Sequence, residues 1–369
     1  MSSLADRVKP HIRALAPYQP GKPVETLARE LGIQDAIKLA SNESPIGPSP
    51  RAVAAARAAL AGVNRYPDGA CADLRAALAG RLGVEPEQLV FGCGADELLE
   101  LVAKCFLGPG DEVVYAWPSF AMYPIVATGM GATPVAVPLD AELRHDLPAL
   151  REAVGERTRV VFVCNPNNPT GTSVGAEAFD RFVDSLPDDV VLVVDEAYCE
   201  FARRPDFPDA LAAVARRPAT LLMRTFSKLY GLAGLRVGYG IAGAELADYL
   251  NRARHPFNVN RLAEVAALAA LDDTEHAERS LRVNAEGAEF LSRELTALGL
   301  EVWPTDANFL LVRTGGEGWA ERLEREGVIV RPLAGFGMPD CIRVTIGLPE
   351  ENERLVKALA RLRPGGAPG

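Results

Sequence analysis

Thr158-Arg-Val-Val-Phe-Val-Cys164 is followed directly by Asn165-Pro-Asn-Asn-Pro-Thr-Gly171. The first string is a nearly continuous run of apolar and β-branched residues, which is typical of a strand buried on both faces of a parallel sheet. The second string is rich in Asn and Pro, so the chain leaves the strand through a polar turn. Together they predict a central parallel strand that carries polar side chains at its carboxyl end.

Three other strings repeat this arrangement of an apolar strand followed by a polar cluster. Ligands of open parallel α/β sheets bind at the carboxyl ends of the strands. We therefore predict an α/β fold with a large doubly wound, mainly parallel sheet and one composite site. The strings are Val190-Val-Leu-Val-Val194 before Asp195-Glu-Ala-Tyr198, Leu221-Leu-Met223 before Thr225-Phe-Ser-Lys228, and Gln88-Leu-Val-Phe91 before Gly92-Cys-Gly-Ala-Asp-Glu97 with a helical stretch from Leu98 to Phe106.

Lys228 is one of only six lysines in a chain whose positive charge is carried mainly by arginine. A lysine can act as a nucleophile when burial or neighbouring cations lower its pKa, whereas arginine keeps its proton. Arg236 stands eight residues further on, and Gly94 belongs to a turn whose backbone N–H groups can bind an anion. We interpret Lys228 as a carbonyl-capturing amine beside a phosphate site completed by Ser227 and Arg236.

The remaining polar groups match the requirements of pyridoxal phosphate. Asp195 can keep a pyridine nitrogen protonated, while Tyr198 and Asn168 can hydrogen-bond a ring oxygen. The protonated ring stores the electrons that are released when a substrate Cα–H bond breaks. Lys228 would serve first as the covalent amine and later as the base that moves the proton.

These strings, in this order, resemble those of the fold-type I, class II aminotransferases, and within them the histidinol-phosphate aminotransferase family. The resemblance covers nearly the whole chain, and the order and spacing of the strings make it specific although each string is short. Other matching strings are Leu39-Ala-Ser-Asn-Glu-Ser-Pro45, Asn64-Arg-Tyr-Pro-Asp68, Gly234-Leu-Arg-Val-Gly238, Asp306-Ala-Asn-Phe309 and Cys341-Ile-Arg-Val-Thr-Ile-Gly347.

The resemblance implies an enzyme that uses pyridoxal 5'-phosphate to transfer an amino group from a small-molecule donor to a 2-oxo acid. It implies catalytic roles for Lys228, Asp195 and Tyr198. Phe120 matches the aromatic residue that stacks on the cofactor ring, a place where many members have tyrosine. Tyr66 matches a tyrosine that reaches the cofactor phosphate from the other subunit of a homodimer. The other implied cofactor residues are Gly94, Ala95, Asp96, Asn168, Ser227 and Arg236.

The resemblance also implies which residues bind the substrate. Arg343 matches the arginine that binds the substrate α-carboxylate or its equivalent, a task suited to a planar guanidinium. Arg331 matches a second arginine that binds the substrate phosphate, and Tyr18 matches a residue of an N-terminal arm that closes over the substrate. Asn42 is expected to line the same site.

Two donor classes remain open. The preferred interpretation is transfer from histidinol phosphate to 2-oxoglutarate, which yields imidazole acetol phosphate and glutamate. The alternative is an aromatic-amino-acid aminotransferase that acts on phenylalanine or tyrosine. Tyr115-Ala-Trp-Pro-Ser-Phe120 and Arg224-Thr-Phe-Ser-Lys-Leu-Tyr-Gly231 fit both branches. The motifs alone do not choose between them.

Three other functions fit less well. The first is an NAD-dependent oxidoreductase. Gly238-Tyr-Gly-Ile-Ala-Gly243 has the GxGxxG pattern of dinucleotide-binding proteins, but that pattern requires a strand-to-helix turn, and this string is predicted to be a strand. A regulator that borrowed the same fold would need a DNA-binding module, for which residues 1–45 are too short and insufficiently basic. A decarboxylase would use the same lysine and aspartate, and product analysis separates it from a transaminase.

Composition excludes several partner classes. The net charge of −10 argues against broad electrostatic binding to nucleic acid or anionic membranes. No apolar run is long enough to span a bilayer, and the first twenty residues have no apolar signal core, so a cytoplasmic location is expected. The cysteines and histidines lack the spacing of metal ligands, so no metal is expected.

The 369-residue chain is long enough for more than one core. Residues 1–45 are predicted to form an arm that packs with the small domain, and residues 46–272 to form the large cofactor-binding domain. Residues 273–369 are predicted to form a linking helix and a smaller α/β domain, with a disordered Gly/Pro tail at 364–369. The predicted strands of the small domain are Asn308 to Arg313, Val328 to Arg331 and Ile342 to Ile346.

Overall fold

The computed structural model describes residues 3–17 and 21–363. Their strands belong to a seven-stranded sheet and a five-stranded sheet. The strands are β1 (Ile37–Leu39), β2 (Leu89–Gly92), β3 (Glu112–Trp117), β4 (Thr133–Pro138), β5 (Thr158–Cys164), β6 (Val191–Asp195), β7 (Thr220–Thr225), β8 (Gly238–Ala242), β9 (Glu301–Val302), β10 (Phe309–Arg313), β11 (Val328–Pro332) and β12 (Cys341–Thr345).

Helices cover both faces of the large sheet, C-terminal helices pack on one face of the small sheet, and Leu27 of an N-terminal helix packs against Ile329 on its other face. The helices are α1 (Leu4–Arg7), α2 (Pro10–Ala14), α3 (Val24–Leu31), α4 (Pro50–Ala59), α5 (Ala72–Leu82), α6 (Asp96–Phe106), α7 (Met122–Gly129), α8 (Leu147–Glu152), α9 (Ala176–Ser185), α10 (Ala210–Arg216), α11 (Ala244–Ala253), α12 (Arg261–Leu271), α13 (Thr274–Ala297), α14 (Trp319–Arg325) and α15 (Pro349–Leu362). Short 3₁₀ turns lie at Leu60–Gly62, Pro86–Gln88, Cys199–Phe201, Ala233–Leu235 and Ala334–Phe336.

The large sheet has the strand order β2-β8-β7-β6-β5-β3-β4, and β8 runs antiparallel to both of its neighbours. The other six strands therefore share one direction, so their carboxyl ends lie at one edge. The central strand β5 is buried along nearly its whole length, as its unbroken apolar run predicts. Separate apolar clusters fill the two faces of the sheet, which is the arrangement of a doubly wound domain.

The small sheet has the order β1-β11-β12-β10-β9. Its edge strand β1 comes from the first forty residues of the chain and pairs in parallel with β11. The other neighbouring strands run antiparallel. The N-terminal segment thus contributes a strand to the sheet formed by the C-terminal segment.

Capping side chains explain where several helices begin. Ser49 accepts hydrogen bonds from the first turn of α4, and Asp209, Asn260 and Asp273 do the same for α10, α12 and α13. Such caps satisfy backbone N–H groups that have no partner within the helix. Ser49 Oγ also donates to Asp273 Oδ2 at 2.5 Å, which joins the start of α4 to the start of the long helix α13.

The predicted strands and helices are present, with bounds that differ by one or two residues. The GxGxxG string begins inside β8 rather than at a strand-to-helix turn, which excludes the dinucleotide fingerprint as predicted. The domain boundaries near residues 45 and 272 stay predictions. Tyr18 and the tail at 364–369 lie outside the described residues. Among the residues that are described, no helix combines the length and apolar character needed to cross a bilayer.

Candidate active site

The polar clusters that follow the parallel strands meet in one cavity of ≈ 500 Å³. Residues from the N-terminal segment and from the small sheet close its other side. Twelve of the fifteen predicted site residues line it, namely Asn42, Ala95, Asp96, Phe120, Asn168, Asp195, Tyr198, Ser227, Lys228, Arg236, Arg331 and Arg343. The expectation of one composite site is consistent with this geometry.

Lys228 follows β7 and reaches into the cavity from its floor. Its Nζ donates to the carbonyl oxygen of Ser41 at 3.3 Å and lies 5.6 Å from the centre of the Tyr198 ring. Burial lowers the pKa of the Lys228 amine to about 8, and the nearby Arg343 guanidinium acts in the same direction. A larger share of the amine is therefore neutral near pH 8 than in an exposed lysine, and a neutral amine can attack a carbonyl or accept a proton.

Asp195 is the last residue of β6 and is only 4% exposed. Its Oδ2 accepts a hydrogen bond from the Tyr123 hydroxyl at 2.9 Å, and its Oδ1 accepts one from the Ala197 backbone at 3.1 Å. Burial raises the pKa of Asp195 to about 6. Both hydrogen-bond donors are neutral, so the ionised carboxylate keeps a negative charge that a cation in the cavity would stabilise.

The turn between β2 and α6 approaches the Arg236 side chain closely. Gly94 has a positive φ of 75°, and a Cβ at this position would collide with the Arg236 guanidinium. A Cβ at Gly238 would lie 2.5 Å from the Ala95 backbone nitrogen. Arg236 Nη2 donates to Asp96 Oδ2 at 3.2 Å in the first turn of α6. The two glycines thus let a guanidinium and a helix N-terminus face the same space, which is an arrangement suited to an anion.

Asn42 joins the N-terminal segment to the opposite wall. Its Nδ2 donates to the Tyr198 hydroxyl at 3.0 Å, and its backbone nitrogen donates to Thr345 Oγ1 at 2.9 Å. Asn308 Nδ2 donates to the Asn42 carbonyl oxygen at 3.1 Å. Asn42 has a φ of 54°, a left-handed conformation that Asn tolerates better than most residues. The Tyr198 hydroxyl is therefore fixed in place by a buried side chain.

Arg331 and Arg343 lie directly opposite each other on the paired strands β11 and β12. Both line the cavity. Arg343 donates to Asn168 Oδ1 and, at 2.7 Å, to the Ala40 carbonyl oxygen. Because two guanidinium groups on one face of a strand pair repel each other, an anionic ligand between them would be favourable.

Tyr66 lies apart from the cavity and is 83% exposed. Its ring stacks on Phe257 with centroids 4.8 Å apart. Phe120, by contrast, lines the cavity as its predicted stacking role requires. The structure thus brings Phe120 but not Tyr66 to the site of its own chain.

Two interactions beside the site were missed by sequence reasoning. Tyr123, which holds Asp195, comes three residues after Phe120, and this spacing was a usable signal because it places both side chains on one side of a helical turn. Arg224 Nη2 and Glu196 Oε2 form an ion pair of 2.8 Å in which Glu196 is 2% exposed. This pair ties the carboxyl ends of β6 and β7 together, and no local pattern indicated it.

The family model described as aminotransferase class I and II matches residues 34–359. This range covers most of the chain and includes every predicted site residue except Tyr18. The chain belongs to the class I and II aminotransferases, which makes it an enzyme that transfers amino groups between small molecules.

Relatives of about 50% identity belong to one branch of this family, the histidinol-phosphate aminotransferases. Histidinol-phosphate aminotransferase 2 of Pseudomonas fluorescens is 50% identical over 358 residues, with 96% of each chain covered. Histidinol-phosphate aminotransferase 2 of Pseudomonas aeruginosa is 49% identical over 367 residues, covering 98% of this chain and 99% of the relative. The crystal structure of histidinol-phosphate aminotransferase from Sinorhizobium meliloti in complex with pyridoxal-5'-phosphate superposes with a TM-score of 0.88 at 32% identity, with 96% of each chain covered.

The predicted family and fold class are therefore confirmed. The fold is that of fold-type I transferases, with a large mainly parallel sheet and a smaller sheet beside it.

Proposed function

We propose that this chain is a pyridoxal-phosphate-dependent aminotransferase that transfers the amino group of histidinol phosphate to 2-oxoglutarate. The observation that carries the proposal is the single cavity in which Lys228, Asp195 and the two opposed arginines Arg331 and Arg343 lie together. The relatives of about 50% identity are histidinol-phosphate aminotransferases, and this supports the choice of donor over phenylalanine or tyrosine.

The residues present fit pyridoxal phosphate. Arg236, Ser227 and the N-terminus of α6 would hold the phosphate, and the absence of a Cβ at Gly94 leaves room for the Arg236 guanidinium. Asp195, whose described hydrogen-bond donors are neutral, would pair with a protonated ring nitrogen. Tyr198 and Asn168 would hydrogen-bond the ring oxygen, and Phe120 would cover one face of the ring.

The bound cofactor would supply an electron sink for the electrons left on the substrate Cα. Lys228 would accept the Cα proton at Nζ and then deliver a proton to the carbon atom on the cofactor side of the transferred nitrogen, because its lowered pKa leaves much of the amine neutral near pH 8. Asn42 would keep the Tyr198 hydroxyl oriented.

The arginines would bind the anionic ends of both substrates. Arg331 would bind the phosphate of histidinol phosphate, and Arg343 would bind the α-carboxylate of the 2-oxo acid or the equivalent group of the donor. Charge-assisted contacts of this kind are about twice as strong as neutral hydrogen bonds, and a bidentate contact also fixes orientation. Phenylalanine and tyrosine carry no phosphate group for Arg331 to bind.

Arg331→Met is expected to impair the reaction with histidinol phosphate far more than the reaction with phenylalanine. Losing one charge-assisted contact to a phosphate costs roughly 2 to 5 kcal/mol, which corresponds to about 30- to 4,000-fold in kcat/KM. The measurement is kcat/KM for histidinol phosphate, phenylalanine and tyrosine with the wild-type enzyme and with the variant.

Arg325→Met is the matched control, because Arg325 is an exposed arginine in the last turn of α14. It is expected to behave as wild type with every donor. A wild-type enzyme that prefers phenylalanine or tyrosine would overturn the choice of histidinol phosphate and leave the aromatic-amino-acid alternative. Carbon dioxide among the products would instead indicate the decarboxylase.

We further propose that the enzyme is a homodimer with shared active sites. An exposed apolar groove of ≈ 380 Å³ lies between α4 and the loop after Lys228, lined by Ala52, Val53, Leu60 and Leu235. Tyr66 follows the 3₁₀ turn Leu60–Gly62, which contributes Leu60 to the groove, and 83% of its surface is exposed. A second copy that covered the groove would bury this surface and receive Tyr66 near its own cofactor phosphate.

Mixing Lys228→Ala subunits with Tyr66→Phe subunits is expected to restore activity. Each heterodimer would contain one intact composite site and one doubly altered site, so random assortment of equal amounts leaves about a quarter of all sites intact. The measurement compares the mixture with the two parental homodimers after heterodimers have been shown by native mass spectrometry. Activity no higher than that of the Tyr66→Phe homodimer would show that Tyr66 does not act across the interface.

A further inference from the structure

Tyr123 contacts Asp195 directly, yet the proposed function gives it no role. Its side chain is 0% exposed within α7, and its hydroxyl donates to Asp195 Oδ2 at 2.9 Å. The other oxygen, Oδ1, accepts from the Ala197 backbone at 3.1 Å. Each carboxylate oxygen therefore has one fixed donor, and the orientation of the carboxylate is set before any ligand binds.

Aromatic contacts hold the Tyr123 ring independently of its hydroxyl. The ring stacks on Phe162 with centroids 4.6 Å apart and an interplanar angle of 8°. Tyr115 and Phe120 contact it edge-on at 6.3 and 5.7 Å. These contacts depend on the ring rather than on the hydroxyl. A Tyr123→Phe substitution therefore removes the hydrogen bond and conserves the packing.

Tyr123 provides a hydrogen-bond donor without adding a charge. Burial, together with the nearby Asp195 carboxylate, raises the pKa of the Tyr123 hydroxyl well above its usual value, so the hydroxyl keeps its proton near neutral pH. A carboxylate held by neutral donors retains its negative charge for a cationic ligand, whereas an arginine partner would neutralise it. Burial raises the pKa of Asp195 to about 6, and the hydrogen bond from Tyr123 opposes this rise.

The other ionisable groups around Asp195 do not change when this one hydroxyl is removed. The Asp96 carboxylate, from α6, raises the pKa of Asp195, and the Lys228 ammonium, beyond β7, lowers it. The Cys164 thiol on β5 and the Tyr198 hydroxyl after β6 both have pKa values raised by burial, so both are neutral near pH 7. A changed proton affinity of Asp195 in the variant would therefore report the lost hydrogen bond.

We propose that Tyr123 is a positioning residue whose hydroxyl holds Asp195 as an ionised carboxylate for the protonated ring nitrogen of the cofactor. The inference rests on the proposed function, because it requires pyridoxal phosphate in the cavity. Protons and the cationic ring compete for the same carboxylate, so cofactor affinity falls when the pH drops below the pKa of Asp195. Without the Tyr123 hydrogen bond, this fall begins at a higher pH.

The test is a titration of the cofactor-free wild type and the Tyr123→Phe variant with pyridoxal phosphate from about pH 5 to about pH 9. The midpoint of the fall in affinity is expected to move up by about one pH unit, so that the variant binds about tenfold more weakly near pH 5, about fivefold more weakly near pH 6 and within about threefold of wild type near pH 9. Ionisation of the cofactor phosphate affects both proteins equally and cancels in their ratio. Tyr115→Phe is the matched control, because it removes a buried hydroxyl from the same aromatic cluster, and it is expected to follow wild type.

If the affinity for pyridoxal phosphate depended on pH in the same way in wild type and in Tyr123→Phe, the inference would be overturned. The same substitution in an Asp195→Asn background is expected to have no pH-dependent effect, because asparagine does not ionise. A pH-dependent effect that persisted there would mean that Tyr123 does not act through Asp195. A wild-type protein that bound no pyridoxal phosphate at any pH would refute the proposed function itself, so the two failures are distinguishable.

Discussion

Lys228→Ala is expected to reduce kcat for transamination about 10⁴-fold or more while the protein remains folded. Lys228 is the only lysine among the described residues that line the cavity. Its loss removes both the attachment point for the cofactor and the base that moves the substrate proton. The measurement is turnover of histidinol phosphate with 2-oxoglutarate, together with circular dichroism and the absorbance of the bound cofactor.

Lys357→Ala is the control for this prediction, because the Lys357 side chain is 67% exposed on α15. It is expected to turn over at the wild-type rate. Borohydride reduction of the wild-type enzyme should also attach the cofactor to the one tryptic peptide that contains Lys228. Attachment at another lysine, or turnover of Lys228→Ala within an order of magnitude of wild type, would contradict the assignment.

Asp195→Asn is expected to lower kcat on the order of 10²- to 10³-fold while the cofactor still binds. Asparagine can accept the Tyr123 hydrogen bond, so the geometry is kept, but it provides no negative charge to hold the ring nitrogen protonated. A neutral ring is a poor electron sink. Turnover and cofactor affinity are measured side by side, with the surface variant Asp180→Asn as control, since Asp180 forms only an exposed ion pair with Arg216.

The same substitution is expected to stabilise the cofactor-free protein. Burial raises the pKa of Asp195 to about 6, so its ionised form is less favourable in the folded state than in the unfolded chain. This penalty is complete above about pH 6 and disappears as the pH falls to about 4, below which the carboxyl is protonated in both states. Asp195→Asn should therefore melt at a higher temperature than wild type near pH 8, and the gain should shrink toward acid pH. A lower melting temperature at pH 8 would contradict the destabilising effect of the buried charge.

Much of the site was predictable because its residues stand next to strands in the sequence. A buried parallel strand has an unbroken apolar run, and its carboxyl end lies at the ligand-binding edge of the sheet. Asp195 ends β6, Lys228 follows β7, and Asn168 follows β5. Local pattern and one general property of parallel sheets were therefore enough to place these three residues together.

Contacts between distant parts of the chain were not predictable in this way. Tyr123 and Asp195 are 72 residues apart, and Asn42 and Thr345 are 303 apart. The local sequence around either residue does not indicate its partner, because the two residues meet only when distant elements of the fold pack together. The short strand β1 is a similar case, because three residues beside a proline-containing arm give no sign of the sheet that they join.

The pairing of β1 with β11 has a consequence for how the enzyme is made. Ile37 pairs with Val328, so one strand of the small sheet leaves the ribosome roughly 290 residues before its neighbour. At typical rates of protein synthesis that delay is roughly 15 to 60 s. During this time the N-terminal segment has no sheet to join. Ser41 and Asn42 belong to this segment, and they contact Lys228 and Tyr198 in the folded protein. Lys228 can therefore acquire its native surroundings only after nearly the whole polypeptide has been synthesised.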